Sequence, residues 1–102
     1  MTGNLLETAG FSAARPITRL MHDSGEMRVV AFYLDAGQVI APHVSSSRVL
    51  MHVVSGTGKF TVGEEVLEVG PGSVAVCEPL QPHGMEARER LIVLAVIAPR
   101  PE

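Results

Sequence analysis

The chain has 102 residues, a formal net charge of −3 and a mean hydropathy of +0.26; 46% of it is hydrophobic, with three Phe, one Tyr and no Trp. A chain of this size supports one domain, whose core must come from Val, Leu, Ile, Ala and Met. The acidic balance, with no basic cluster, argues against nucleic acid or an anionic membrane surface as a partner.

Residues 1–16 read as an N-terminal arm. Within it Thr2 to Gly10 carries the one helical signal, with Thr2 as cap and Gly10 as stop. From Ile17 onward short β-rich runs alternate with turn residues. The expected strands are Ile17–Met21, Met27–Leu34, Gln38–His43, Val49–Val54, Lys59–Val62, Glu65–Val69, Ser73–Cys77, Gly84–Ala87 and Leu91–Ile97. Asp23-Ser24-Gly25, Asp35-Ala36-Gly37, Gly56-Thr57-Gly58, Gly63-Glu64, Gly70-Pro71-Gly72 and Pro79-Leu80-Gln81-Pro82 punctuate them. Short strands at this spacing predict an all-β antiparallel sandwich or barrel with little or no helix.

Val29–Leu34 and Leu91–Ile97 are apolar on both faces, whereas a sheet with one solvated face alternates. Their outer faces need a cover, and the expectation is a second subunit, making a homodimer. The apolar run Leu91–Ala98 falls well short of the roughly 20 residues of a membrane helix. The first residues lack the charged and apolar regions of a signal peptide. Cys77 is the single cysteine, so no intrachain disulfide is available, and a cytoplasmic location is expected.

Two histidines follow turn-forming residues at strand ends. Gly37-Gln38-Val39-Ile40-Ala41-Pro42 leads into His43, and Pro82 precedes His83. Side chains of one parity share a strand face. If His43 points inward, Ser45, Val49 and Met51 follow it, while Met85 follows His83. The candidate pocket is therefore His43, Ser45, Val49, Met51, His83 and Met85. Strict parity turns His52 outward; a bulge in Ser45-Ser46-Ser47 would turn it inward, and His43, His83 and His52 would then form a three-histidine metal site. Arg48 is either a carboxylate-binding cation inside the cavity or a solvated charge. The serine run lacks the Gly-x-Ser-x-Gly elbow and an acid to orient a base, which argues against a serine hydrolase.

From about Met27 to Ile97 these residues resemble the cupin family. Gly37, His43 and Gly56 match the first cupin motif, and Pro71-Gly72-Ser73 with Pro82-His83 matches the second. Ser45 stands at the second histidine position, Val49 at the glutamate position, and Ser73 in place of an aspartate. The chain is most similar to small single-domain bacterial cupins of the RmlC-like, conserved-barrel type whose first metal-binding motif is degenerate. Glu89-Arg90-Leu91-Ile92-Val93-Leu94 and Ile97-Ala98-Pro99-Arg100-Pro101 also resemble that group. The resemblance implies an antiparallel jelly-roll β-barrel over residues 27–97 that holds a divalent metal or a small organic ligand inside. His43 and His83 would carry the metal (Zn, Fe, Ni or Mn), weakly, with His52 or water completing its shell. A metal-dependent dioxygenase or isomerase is the alternative function that the resemblance implies.

Overall fold

The computed structural model describes residues 2–101. Among them the chain forms nine strands: β1 Ile17–Asp23, β2 Arg28–Leu34, β3 Val39–His43, β4 Arg48–Ser55, β5 Gly58–Val62, β6 Glu65–Val69, β7 Val74–Cys77, β8 His83–Ala87 and β9 Leu91–Ala98. Every expected strand is present, with ends displaced by a residue or two. The strands form two antiparallel sheets, ordered β1-β2-β9-β4-β7 and β3-β8-β5-β6. This is the all-β jelly roll that the strand spacing and motifs implied.

The core lies between the sheets. Leu34, Val49, Met51, Val53, Phe60, Cys77 and Leu91 are buried there, with Phe32, Ile40 and Ile97 packed around them. Full burial of a Leu, Phe or Met side chain is worth roughly 1.5–3 kcal/mol, so aliphatic residues do the work that aromatics do elsewhere. Val49, Met51 and Val53 are buried while Leu50 and His52 are half-buried, so β4 alternates cleanly across the sheet. Turn glycines close the barrel. Gly56 has a φ of +88°, and a Cβ there would collide with the Arg90 carbonyl, so no other residue fits the closing turn of the first motif.

The arm departs from expectation. No helix forms among the described residues; Leu5–Thr8 is a turn. Its cap is Asn4 rather than Thr2: the Asn4 Oδ1 accepts from the N–H groups of Leu6 and Glu7 at 3.0 and 3.1 Å. So short a helix is marginal on its own, and the arm instead lies across the outer face of the larger sheet. There Leu5 and Phe11 pack on a second buried cluster of Ala31, Tyr33 and Ile92. The Tyr33 hydroxyl donates to the Leu5 carbonyl at 3.1 Å, and Phe11 meets the Tyr33 ring edge-on with centroids 5.9 Å apart. Gln38 donates its side-chain amide to the Ser12 carbonyl at 2.6 Å. This half of the outer face, for which a second subunit was the expected cover, is covered by the chain's own arm. The other half carries Leu50, His52, Val74, Val76, Leu94 and Val96, aligned across β7, β4 and β9. On it Val74 remains 58% and Val76 46% exposed.

Candidate functional site

His43 ends β3 and His83 begins β8, and the two are direct partners in the antiparallel pairing. The register of this pair shifts between Ile40 and His43, which bends β3 over β8. Gly84 makes the approach possible, because a Cβ there would stand 2.8 Å from the Ile40 carbonyl oxygen and 2.9 Å from the Pro42 nitrogen. The imidazole centroids come to 4.3 Å with the rings tilted by 59°.

Each ring is held from behind. His43 Nδ1 lies 3.2 Å from the Ala41 carbonyl oxygen, and His83 Nδ1 lies 3.1 Å from that of Gln81. A carbonyl only accepts, so each Nδ1 carries the hydrogen and Nε2 of the neutral ring is the acceptor. His83 is buried and His43 exposed. Burial pushes the His83 pKa below the ordinary imidazole range; the Gln81 carbonyl works against this, and the charge of a protonated His43 works with it.

The Glu78–Pro82 loop fixes the base of His83. Gln81 accepts from the Glu78 N–H through its side-chain oxygen at 2.9 Å. Leu80, in the left-handed region with φ of 67°, donates its N–H to the Ser45 carbonyl at 2.8 Å. The loops on either side of the histidine pair are thereby tied together.

A cavity of about 420 Å³ opens at this end of the barrel, lined by His43, Val44, Ser45, Ser46, Val49, His83, Ile97 and Pro101. Deeper lies an apolar pocket of about 40 Å³, which shares His43, Val49, His83 and Ile97 and adds Phe32, Ile40, Met51, Met85 and Ala95. All six pocket residues read from parity thus line one or other of these two spaces, which share four lining residues. Another groove of about 330 Å³ is lined by Val39, Lys59, Thr61, Val66 and Glu86 together with Ile40, Pro42 and Met85, and no histidine lines it.

His52 is not brought to the pair. Val49, Met51 and Val53 hold the core face of β4, and His52 sits on the opposite face, across from Val74 and Leu94. No bulge in the serine run reverses the register. Ser47, of the same parity as Val49, is 1% exposed and donates its hydroxyl to the Pro99 carbonyl at 2.6 Å. The expected three-histidine cluster is therefore corrected: only His43 and His83 come together. Arg48 takes its solvated alternative, meeting Glu78 outside the cavity at 2.9 and 2.8 Å.

Sequence reasoning missed Val44, Ser46, Ile97 and Pro101 in the larger cavity, and Phe32, Ile40, Gly84 and Ala95 in the inner pocket. Ile97 shares parity with the buried Val93 and Ala95 and was open to detection. Pro101 was not: it reaches the cavity because Ser47 holds Pro99 and Arg100 pairs with Asp23 at 2.6 and 3.1 Å, contacts between distant parts of the chain.

The model of the cupin domain matches residues 22–97, most of the chain. The chain is a cupin. Its fold is similar to that of an RmlC-like cupin protein from Desulfovibrio desulfuricans, at 32% identity and a TM-score of 0.91 over 97% of this chain and 96% of that one. TT1209 from Thermus thermophilus is 26% identical, with a TM-score of 0.91 over 98% of each chain. A conserved protein with a double-stranded β-helix domain from Klebsiella pneumoniae is 27% identical, with a TM-score of 0.88 over 97% of this cupin and 90% of that protein. No curated protein matches the chain.

Cupins often hold a metal, and the donor set here does not fit a tightly bound one. No group of three or more His, Cys, Asp or Glu side chains able to hold an ion occurs among the described residues. Stable zinc sites take at least three protein ligands. This cupin has two imidazoles, with a hydroxyl at Ser45 and an alkyl group at Val49.

Proposed function

We propose that this cupin binds a small organic molecule in the barrel interior, with His43 and His83 supplying the polar contacts. One observation carries the reading: two imidazoles, each held through Nδ1, stand where the larger cavity meets the apolar inner pocket. Binding pockets of this kind are mostly apolar with a few convergent polar groups. Ser45 adds a hydroxyl, while Val49, Met51 and Met85 supply apolar and polarizable contact. The two Nε2 lone pairs also support weak, exchangeable binding of a divalent ion such as Zn, Fe, Ni or Mn, with water filling the remaining positions. That gives the second reading, a metal-dependent dioxygenase or isomerase.

Elemental analysis of protein made without a polyhistidine tag, combined with calorimetric zinc titration, tests both. Substoichiometric metal and a weak zinc isotherm that vanishes in His43→Ala and His83→Ala are expected. A stoichiometric metal that survives purification would overturn the organic-ligand reading. An isotherm unchanged in both variants would remove the histidine pair from the site.

The strip of half-buried Leu50, His52, Leu94 and Val96 with exposed Val74 and Val76 supports a homodimer in which a second copy covers it. A soluble protein working in the cytoplasm agrees with the single buried Cys77 thiol, whose pKa burial raises.

A further inference from the structure

We propose that the pocket selects a neutral hydroxylated ligand, an alcohol, phenol or enol on an apolar carbon frame, and discriminates against carboxylates; this rests on the ligand-pocket reading above. The acceptor pattern of the histidine pair is the first ground. Both Nδ1–H groups are spent on the carbonyls of Ala41 and Gln81. Neither Nε2 has a partner among the described residues, yet no fully buried side-chain nitrogen or oxygen there lacks one. The unbonded Nε2 of the otherwise buried His83 is therefore the part of that ring open to the cavity. Two lone pairs in one pocket call for a ligand that donates.

The second ground is charge. No Lys, Arg, Asp or Glu lines either space. The cations that flank the pocket in sequence are engaged elsewhere, Arg48 with Glu78 and Arg100 with Asp23. A carboxylate entering here would lose its hydration with no cation to replace it, and it would face two acceptors. Of the serines, Ser45 already accepts the Ser47 N–H through its hydroxyl oxygen at 3.1 Å, which leaves one hydroxyl proton to offer. A hydroxyl ligand both donates to an imidazole and accepts from that serine.

The rim is the third ground. Val44 lines the cavity and is 58% exposed. With Pro101 it sets apolar surface beside the polar pair in the larger cavity, while Phe32, Met51 and Met85 do so in the inner pocket. The frame that fits is apolar, with its hydroxyl at the histidines.

Tag-free protein at about pH 8, above the ordinary imidazole range, titrated by calorimetry and by methyl NMR with 2-naphthol, 2-naphthoate and naphthalene, tests this. The expected result is 2-naphthol binding roughly tenfold or more tightly than 2-naphthoate, the scale of one buried hydrogen bond against an unpaired charge. Its binding should shift the methyl resonances of Val44, Val49 and Ile97, which line the larger cavity, and weaken by roughly the same factor in His83→Ala. His43→Ala, at an exposed position, should keep the fold and lose part of the preference over naphthalene. Naphthoate binding as tightly as naphthol, with the same methyl shifts, overturns the ligand class and leaves the pocket standing. No binding of any probe, with unmoved methyl resonances, overturns both.

Discussion

His83 is 6% exposed while His43, its direct partner across β3 and β8, stands open to solvent with its ring centroid 4.3 Å away. The pair is thus asymmetric: one imidazole has exchanged most of its hydration for protein contact and the other has not.

That asymmetry has a pH signature. Burial holds the folded His83 pKa below the unfolded value of about 6.5. Above that value both states carry a neutral ring and the group contributes no slope. As pH falls below it the unfolded chain takes up the proton first, so stability declines until the lowered folded pKa is reached, and then levels off. Urea denaturation of the native protein and of His83→Gln, from about pH 8 downward, should show this decline only in the native protein. A native-minus-variant difference that grows more favourable on acidification would contradict the burial argument.

Gly84→Ala should cost roughly 1–3 kcal/mol, the usual range for forcing extra volume into a packed site. The added methyl meets backbone atoms of Ile40 and Pro42, which belong to the bent part of β3. The strand must move, and His43 with it. Chemical denaturation measures the loss, and a nuclear Overhauser contact between the His43 and His83 rings should weaken. A variant of native stability with that contact intact would show that β3 tolerates the methyl without displacement.

Two substitutions test how strongly the cavity can hold a metal. Ser45→His together with Val49→Glu places two further ligands on residues that line the same cavity as His43 and His83. Zinc affinity should rise by about 100-fold or more as the site passes from two protein ligands to four. In metal-free buffer the same variant should be less stable than the native protein, because Val49 is 4% exposed and a carboxylate there lacks a partner. Calorimetry with and without zinc reads both effects, and unchanged zinc affinity would mean that the four side chains do not converge.

Val76→Glu should convert a dimer to a monomer. Val76 pairs across from Leu50 on the outer face of the larger sheet and is 46% exposed there, so a carboxylate interrupts the apolar strip without touching the core. Light scattering at micromolar concentration should give twice the 10.8 kDa chain mass for the native protein and a single chain for the variant. A native mass of one chain would show that the strip stays solvated.

The sheets were legible in the sequence because turn residues and β-branched runs are local signals; all nine strands were placed from them. Parity also put Met51 and Met85 with the histidines, since β4 runs without a bulge from Arg48 to Val53. The arm was misread for a physical reason. Thr2 to Gly10 has helical punctuation, but packing of Leu5 and Phe11 on Ala31, Tyr33 and Ile92 outweighs that weak preference. His52 could not be settled from sequence, because one bulge in Ser45-Ser46-Ser47 would have reversed it. Pro101 at the cavity was invisible, since its position depends on Ser47 and Asp23, far away in the chain.

The two buried clusters lie on opposite sides of one sheet and share no residue. Detachment of the arm therefore removes contacts from the smaller cluster while leaving the core between the sheets and the histidine pair in place. Such a sub-global opening has its own free energy, lower than that of global unfolding. Amide exchange should proceed faster along residues 2–16 than along β4 and β9. Once the arm lifts, Ala31, Tyr33 and Ile92 join the exposed Val74 and Val76 in one broad apolar sheet face. A chain trimmed of its arm should stay folded and self-associate through that face, which sedimentation of the trimmed chain reads.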